Sequence, residues 1–387
     1  MFDPRRLIEP TNVPFGWATK SLDGRDERWD GLRRKYSIAA GHAEVISGAG
    51  FLSYVLRVVF VFDGTTERFS AILKVPTVEK LMAAQMVIEE APKFDNILIK
   101  LHNQEILFYK EIANKCDVFY FPKMYAYVVS DEKNATHGRI LVEDVGDKGM
   151  LPDVLQGMDL KQCTEAIQVL AKFHAFTLLN LSEEFLEKLK ECNTNQKENI
   201  GMTPATYELD PYFMENREDL KEIAEKHGEV EYNIHRLHGI PPVLVHGDFW
   251  GNNMFFEKKN DGSMGEKLFT VFDWQLLRPG TGMGDIARFL VVSATAEVLA
   301  NNLEGILKLY YDTMQQCLHR NGERMPYSYE QMKIMFRYEF PFEFVFAAML
   351  LPVMVQGTDN EKVKQGVVNR LKIGFDYVKK FSDRLTH

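Results

Sequence analysis

The chain contains 387 residues, of which 45% are hydrophobic and 26% are charged, a composition that excludes a disordered, collagen-like or disulfide-stapled protein. Its length fits two or three domains or one large two-lobed unit. Because 55 acidic residues outnumber 46 basic ones and the net charge is −9, we expect no nucleic-acid partner and no polybasic membrane anchor.

The first part of the chain is rich in predicted β-strands. Residues 43–62 predict two strands, because the stretch 54–62 is dense in β-branched and aromatic residues and stops at the turn dipeptide Asp63-Gly64. Further elements follow in the order strand 68–75, helix 78–93, helix 101–115, strand 123–130 and strand 139–145. This pattern predicts a β-rich N-terminal lobe over residues 1–145.

After Gly146 the apolar residues recur mainly at helical spacing. The predicted elements are a helix at 160–179, a charged helical region at 182–238 broken at Pro204 and Pro211, two strands around the polar turn 258–263, and helices over 285–380. We therefore expect an α+β fold whose second lobe, residues 146–387, is mainly helical.

Cysteine spacing and hydropathy indicate a reducing compartment. The four cysteines form no CxxC pair and no zinc-ligand spacing, which predicts reduced and mostly buried thiols. The N-terminus lacks the apolar stretch of a signal peptide. The longest apolar run, 344–355, is shorter than the roughly 18 residues that span a bilayer, and Pro352 interrupts it. We expect a cytoplasmic protein with no membrane partner.

The most informative stretch follows an apolar segment at residues 243–245. His246, Gly247 and Asp248 come directly after it, and Asn253 stands five positions beyond Asp248. Twenty residues after Asn253, a second predicted strand ends on Asp273. Phosphoryl transfer from ATP needs a carboxylate near the acceptor hydroxyl, and an Asn and a second carboxylate to hold Mg²⁺ on the phosphates. The alternative is that both aspartates are turn or cap residues.

This pair of motifs resembles the catalytic and metal-binding loops of the protein-kinase-like fold, in the branch of aminoglycoside phosphotransferases and choline kinases. Within that branch, His-Gly-Asp-Phe-Trp-x-x-Asn with Asp273-Trp274-Gln275 is most similar to the choline-kinase-like (CHK kinase-like) group that includes the ecdysteroid kinase-like proteins. The resemblance covers roughly residues 46–290. It implies a kinase that uses ATP and Mg²⁺, with Asp248 as catalytic base and Asn253 and Asp273 as magnesium ligands.

The resemblance also implies roles for residues of the N-terminal lobe. Gly48 and Gly50 lie between two predicted strands, where glycine lets backbone N–H groups approach phosphate oxygens, although the two glycines taken alone favour an ordinary hairpin. Lys74 lies on an apolar strand, where burying a lysine is costly without a partner. By resemblance it contacts the phosphates and pairs with Glu105, for which a solvated helix face is the alternative. The connection between the lobes, Glu143 to Val145, would hold adenine through its backbone.

Several residues near the motif are expected to support it. His246 orders the loop by hydrogen bonding and is not the base, because the carboxylate two positions later suits that role better. Asp285 is predicted as a helix N-cap, and the resemblance implies that it braces the catalytic loop. His174 lies on an apolar helix face and is expected to be a satisfied core histidine, while Trp250 and Trp274 are expected to pack beside the site.

The acceptor is the part of the function that the sequence determines least. By resemblance, choline and ethanolamine kinases have Glu where this chain has Gln275, which favours the ecdysteroid kinase-like group. The aromatic and acidic stretch 337–344 fits either a cation–π site for a quaternary ammonium or a core helix. A sterol-like or xenobiotic alcohol would instead need an apolar pocket, and the candidates to line it are Phe340, Phe344, Met349 and Met354.

Our principal hypothesis is therefore an ATP- and Mg²⁺-dependent kinase that phosphorylates a hydroxyl of a small metabolite, sterol-like compound or xenobiotic. Choline or ethanolamine kinase is an alternative within the enzyme class. A kinase-like scaffold that binds nucleotide without catalysis is an alternative outside it. The sequence leaves the oligomeric state open.

Overall fold

The computed structural model describes residues 2–46, 52–77, 91–131, 137–192, 200–228 and 234–385. The chain divides into two compact units. The first consists of Met1–Lys115, Phe121–Lys148 and Glu191–Thr194, and the second of Cys116–Tyr120, Gly149–Lys190 and Asn195–His387. Gly48, Gly50 and most of the helix predicted at 78–93 lie outside the described residues.

The first unit is built on an antiparallel sheet of five strands in the order β1-β2-β3-β5-β4. The strands are β1 (Ile38–Val45), β2 (Ser53–Phe62), β3 (Arg68–Pro76), β4 (Met124–Val128) and β5 (Arg139–Glu143). In the central strand β3, Leu73 is fully buried and lies opposite Leu56, while the next residue, Lys74, lies opposite Val55. Alternation along the strand thus directs Lys74 to the face opposite the Leu73 side chain.

Aromatic side chains form the core on the Leu73 face of the sheet. Two helices, α1 (Phe15–Leu22) and α2 (Glu27–Lys35), supply Phe15 and Trp29 to it. The Trp29 ring meets Phe60 and Phe69 edge-on at centroid distances of 5.0 and 5.3 Å. Asp26 caps α2 by accepting a hydrogen bond from the Trp29 N–H, so the cap fixes the residue that carries the largest ring of this core.

The helix α3 (Ala91–Phe108) continues into a π-helical turn, Tyr109–Ala113. It begins ten residues before the helix that the sequence predicts at 101–115. His102 on α3 is buried and donates through Nε2 to the carbonyl of Val128 on β4 at 2.9 Å. The helix is thereby tied to the edge of the sheet.

The second unit is mainly helical. Its helices are α4 (Leu160–Asn180), α5 (Glu183–Cys192), α6 (Pro204–Glu208), α7 (Pro211–Glu215), α8 (Arg217–His227), α9 (Ile234–Leu237), α10 (Met283–Ser293), α11 (Ala296–Arg320), α12 (Tyr329–Val355) and α13 (Glu361–Leu385). The strands β6 (Gly149–Met150), β8 (Met254–Lys258) and β9 (Met264–Val271) form one small antiparallel sheet, and β7 (Val243–Val245) pairs with β10 (Arg278–Gly280). The predicted α+β class, strand-rich first and helical second, is confirmed.

Pro352, which interrupts the apolar run in the sequence, does not end the helix, because α12 continues through both Pro341 and Pro352. A proline in a helix leaves the carbonyl four residues earlier without its helical N–H donor. For Pro352 that carbonyl belongs to Ala348, and the Thr206 hydroxyl donates to it at 2.7 Å. Pro204 and Pro211 separate helices as predicted, each at the first turn of the following helix.

Among the described helices, α12 is the one long and apolar enough to cross a membrane by length and composition. In its most apolar window 61% is buried inside the structure. Phe340 packs on Tyr377 and Phe381 of α13, and Phe344 packs on Phe375. These contacts are those of a core helix, and a core helix passes the same length and composition test.

Candidate active site

The site begins at a tight turn that follows β7. Gly247 has φ +81°, a left-handed conformation that glycine adopts without strain. A Cβ at this position would collide with the backbone carbonyl of Leu276 and lie 2.6 Å from Nη1 of Arg278. Both conformation and space therefore require glycine between His246 and Asp248.

His246 is fully buried and holds the turn by two hydrogen bonds. Its Nδ1 accepts from the backbone N–H of Asp248 at 3.1 Å, and its Nε2 donates to the carbonyl of Phe272 at 3.1 Å. Burial lowers the pKa of His246 despite the nearby carboxylates, so the ring is neutral with its proton on Nε2. A ring engaged at both nitrogens orders the loop, which is the role that the sequence predicts.

Asp285 lies 1% exposed in the first turn of α10. The prediction that it caps this helix is wrong, because the N-cap is Gly282. Its carboxylate instead accepts from the backbone N–H groups of His246 and Gly247, at 2.8 and 2.9 Å. Burial raises the pKa of Asp285, but the contact with His174 and the backbone N–H donors of the turn outweigh burial, and the pKa is lowered. Asp285 thus braces the turn as an ionised group.

His174 completes the support behind Asp285. It is fully buried, its Nδ1 lies 2.7 Å from the Tyr310 hydroxyl, and its Nε2 lies 3.4 Å from Oδ2 of Asp285. The core position agrees with the prediction, but the prediction that the histidine is satisfied is wrong for Nε2, which makes no hydrogen bond within the described residues.

Asp248 projects from the turn with a side chain that is 18% exposed. Its Oδ1 accepts from Nη1 of Arg288 at 2.9 Å. Its Oδ2 accepts from Nε1 of Trp250 at 3.1 Å and from Nδ2 of Asn253 at 2.7 Å. Trp250, expected to be a packing residue, therefore also positions the carboxylate.

Asn253 and Asp273 lie on two segments that are joined by their backbones. The N–H of Phe272 donates to the carbonyl of Asn253 at 3.0 Å. Asn253 uses its amide nitrogen for both of its bonds to Asp248, so its Oδ1 is the atom suited to bind a metal. Asp273 has φ 67°, and it is the one non-glycine residue with positive φ among those the structure describes. Its side chain makes no capping hydrogen bond to the turn Trp274–Leu276, which argues against a mere cap.

Within the described ranges, no group of three or more His, Cys, Asp or Glu side chains could hold a metal ion. A site made of Asn253 Oδ1 and the Asp273 carboxylate alone would suit Mg²⁺. This ion is commonly bound by one or two carboxylates while phosphate oxygens and water complete its shell.

In the first unit, Nζ of Lys74 lies 2.6 Å from Oε2 of Glu105 on α3. The two side chains are 12% and 5% exposed, so Glu105 is not on a solvated helix face. At the end of β5, Glu143 pairs with Lys148 at 2.8 Å, and Val145 is buried. Asp144 between them accepts from Nε of Arg57 at 2.7 Å. The segment is thus held to β2 by an ion pair.

The sequence pattern predicts no site role for Arg288, and it includes Glu343 only in the acidic and aromatic stretch 337–344. Nε of Arg288 donates to Oε2 of Glu343 at 2.6 Å, and both side chains are almost fully buried. The available signal was a charged residue directly between apolar neighbours: Arg288 between Ala287 and Phe289 in α10, and Glu343 between Phe342 and Phe344 in α12.

The predicted apolar acceptor pocket is wrong for two of its four residues. Phe340 and Phe344 have no exposed surface and form the interface of α12 with α13. The core-helix interpretation of 337–344 fits these two rings. Gln275, the residue that departs from the choline-kinase pattern, is 8% exposed.

Comparison with known proteins gives distant similarities. The chain is 23% identical over 335 residues to Uncharacterized oxidoreductase dhs-27 of Caenorhabditis elegans. The matched region covers 82% of this chain but only 40% of that protein. It is 24% identical over 277 residues to Uncharacterized kinase-like protein D1044.1 of the same organism, covering 70% of each.

Two solved structures show weak likeness. One is the ternary complex of streptomycin, ATP and APH(2″)-IIa, with a TM-score of 0.40 and 15% identity, covering 92% of this chain and 98% of that one. The other is a Plasmodium vivax ethanolamine kinase, with a TM-score of 0.37 and 13% identity, covering 91% of this chain and 84% of that one. Because both TM-scores are below 0.5, the assignment of function rests on the site itself. A family model described as Uncharacterized oxidoreductase dhs-27 matches residues 68–375, and the chain therefore belongs to that family, DUF1679.

Proposed function

We propose that this protein transfers the γ-phosphoryl group of ATP to a hydroxyl of a small molecule, with Mg²⁺ as cofactor. The observation that carries the proposal is the joined pair of segments around Asp248, Asn253 and Asp273. One segment presents a carboxylate and an amide oxygen, and the other presents a carboxylate on a strained left-handed residue. Phosphoryl transfer uses these groups for the acceptor and the metal.

In this reaction Asp248 orients the acceptor hydroxyl. The hydroxyl oxygen forms a bond to the γ-phosphorus, its proton passes to Asp248, and the bond from the γ-phosphorus to the β–γ bridging oxygen breaks with its electron pair leaving on ADP. Asn253 Oδ1 and the Asp273 carboxylate would hold Mg²⁺, which neutralises charge on the phosphate oxygens. No covalent enzyme intermediate is required.

Lys74 would contact the α- and β-phosphates. Its ammonium group would supply positive charge in a net acidic protein, and Glu105, 2.6 Å away, fixes its direction. Positive charge at this position, together with the metal, would let an acidic chain bind ATP. The loop of Gly48 and Gly50 and the segment from Glu143 to Val145 are proposed to contact the phosphates and adenine.

For the acceptor we propose a neutral small metabolite, sterol-like compound or xenobiotic, in the cytoplasm and without nucleic-acid or membrane partners. Gln275 in place of the expected Glu supports this choice over choline or ethanolamine. Choline kinase activity predicts rapid phosphorylation of those amines, and the neutral-acceptor proposal predicts none.

The name of the first relative raises oxidoreduction as a different activity. The larger part of that protein lies outside the match. Dinucleotide-binding sheets of the doubly wound class are built from parallel strands. Between the named strands of the described residues, every pairing is antiparallel. This observation argues against a doubly wound dinucleotide-binding sheet in the described residues.

The decisive experiment incubates the purified protein with Mg²⁺, ATP and a library of hydroxyl compounds, and measures ADP and phosphorylated products by mass spectrometry. We expect Asp248→Asn to abolish transfer almost completely while ATP binding remains. Asp273→Ala should lose the magnesium dependence of nucleotide binding in calorimetry. Asp261→Asn, in the exposed turn between β8 and β9, is the matched control and should behave as wild type. Unchanged turnover in the Asp248 or Asp273 variant would refute the assignment. Nucleotide binding without transfer would favour the scaffold.

A further inference from the structure

A single guanidinium connects the reactive carboxylate to the interior of the second unit. Arg288 on α10 donates from Nη1 to Asp248 at 2.9 Å and from Nε to Glu343 of α12 at 2.6 Å. Its Cζ also lies 3.8 Å from the centroid of the Phe346 ring. Two carboxylates and an aromatic face thus fix the orientation of one planar group.

The arrangement determines which atom of Asp248 can meet an acceptor. An ionised carboxylate has about four lone-pair sites, two on each oxygen. Trp250 and Asn253 use both sites of Oδ2, and Arg288 uses one site of Oδ1. The remaining site is on Oδ1, and its direction is set by the Arg288 contact.

Stability alone does not account for the buried charges. Arg288 and Glu343 are 6% and 3% exposed, and a buried ion pair is often no more stabilising than apolar residues of similar volume. The pKa of Arg288 is lowered by burial but raised further by Glu343 and Asp248, so the group stays charged. An arginine that only balanced the charge of Glu343 would need the Nε contact alone. Arg288 also donates from Nη1 to Asp248, so its position serves a second carboxylate.

We propose that Arg288 is a positioning residue for phosphoryl transfer, which holds Asp248 so that Oδ1 receives the acceptor hydroxyl, and that Glu343 anchors Arg288 in turn. This inference rests on the proposed function, because it gives Asp248 the role of orienting the acceptor.

The test compares Arg288→Met, Arg288→Lys and the double variant Arg288→Met/Glu343→Met. The readouts are urea unfolding and the kcat and KM for MgATP, with water as the acceptor and phosphate release as the signal. Loss of a group that orients a reactive ligand commonly lowers activity roughly 10- to 100-fold. We expect that loss in kcat for Arg288→Met, with the KM for MgATP within about threefold of wild type because Arg288 does not hold nucleotide. Arg288→Lys should recover part of kcat.

The double variant separates positioning from folding. Arg288→Met leaves Glu343 buried without its partner and should unfold more easily, and removing both charges should restore the unfolding midpoint. Positioning predicts that kcat nevertheless stays low. Arg370→Met is the control: Arg370 is buried, and the described hydrogen bonds of its side chain go to the carbonyls of Val154, Leu155 and Val292. It should lose stability while the folded protein keeps its kcat within about twofold.

Three results would overturn the inference. Wild-type kcat in the double variant would show that Arg288 only balances the charge of Glu343. Wild-type kcat in Arg288→Met itself would show that Asp248 needs no such support. Absence of ADP formation that depends on Asp248, both with water and with the hydroxyl-compound library, in the wild-type protein would overturn the proposed function and this inference together, and is recognised before any Arg288 variant is measured.

Discussion

Gly247→Ala is the substitution whose effect the structure defines most closely. Two costs are expected. A non-glycine residue in the left-handed region costs about 1–2 kcal/mol. The added methyl group would also overlap the Leu276 carbonyl, which belongs to backbone and must shift. Overpacking of this kind typically costs a further 1–3 kcal/mol. Gly247→Ala should therefore lower the free energy of unfolding by about 2–5 kcal/mol.

The matched control is Gly262→Ala, in the turn between β8 and β9. Gly262 has φ +84°, nearly the same as Gly247, but a Cβ there would meet nothing within 4 Å. It should lose only about 1–2 kcal/mol. The difference between the two variants isolates the collision with Leu276.

The same collision should impair catalysis. Moving the turn away from Leu276 also moves Asp248 relative to the segment that carries Asp273. A misplacement of about 1 Å commonly costs about 100-fold in rate. Urea unfolding and ATP turnover, measured on both glycine variants at a temperature where each is folded, test the expectation. Equal losses of stability, or wild-type turnover in folded Gly247→Ala, would refute it.

Three further predictions concern single ionisable groups. Lys74→Met should raise the Kd for MgATP about 10- to 100-fold, since a hydrogen bond to a charged group is worth about 1.5–3 kcal/mol. Calorimetry measures this Kd, and the control Lys161→Met, which breaks an exposed ion pair, should leave the Kd unchanged. Burial raises the pKa of Glu339 to about 7 from 4.5, so the folded state keeps a proton that the unfolded state has lost between these pH values, and stability falls as pH rises through that window. Glu339→Gln should remove about 3 kcal/mol of that dependence in urea unfolding at pH 5 and 8, and an unaltered pH dependence would contradict the assignment. Burial lowers the pKa of His102 to about 4 from 6.5, so the unfolded state binds a proton that the folded state does not, and stability is lost as pH falls from 6.5 to 4. Hydrogen exchange of the first unit should show this loss in wild type but not in His102→Gln.

Local patterns predicted the elements, because each depends on residues near in sequence. β2 and β3 follow from β-branched density and α4 from helical spacing, and their ends agree with the structure to within a residue or two. The prolines of α12 show where the local rule fails. Pro352 removes a helical N–H donor, and Thr206, distant in sequence, donates to the carbonyl that loses it. Tertiary contacts of this kind leave no periodic trace.

The same limit applies to the candidate site. His246, Asp248 and Asn253 lie within eight residues, so the motif showed them together. Arg288 lies 40 residues from Asp248 and 55 from Glu343, and the helix packing that joins them follows no sequence spacing. The local pattern predicts Asp285 only as the N-cap of its own helix, and it is the family resemblance that implies the contact with another segment, whose backbone donors the carboxylate satisfies.

The support of the catalytic turn nevertheless has a regular order along α10. Residues three, four and eight positions apart share one face of an α-helix. The face that begins at Asp285 makes four different contacts with successive residues of the 246–251 segment. The Asp285 carboxylate accepts from the N–H groups of His246 and Gly247, and the Arg288 guanidinium donates to Asp248. The Phe289 ring lies 5.5 Å from the Phe249 ring, and the Ser293 hydroxyl accepts from the Gly251 N–H. Because α10 is buried along its whole length, it cannot rotate to release one contact and keep the others. The helix therefore sets the position of the Asp248 carboxylate as a unit, which explains why a segment with little regular structure of its own can hold a reactive group in a fixed direction.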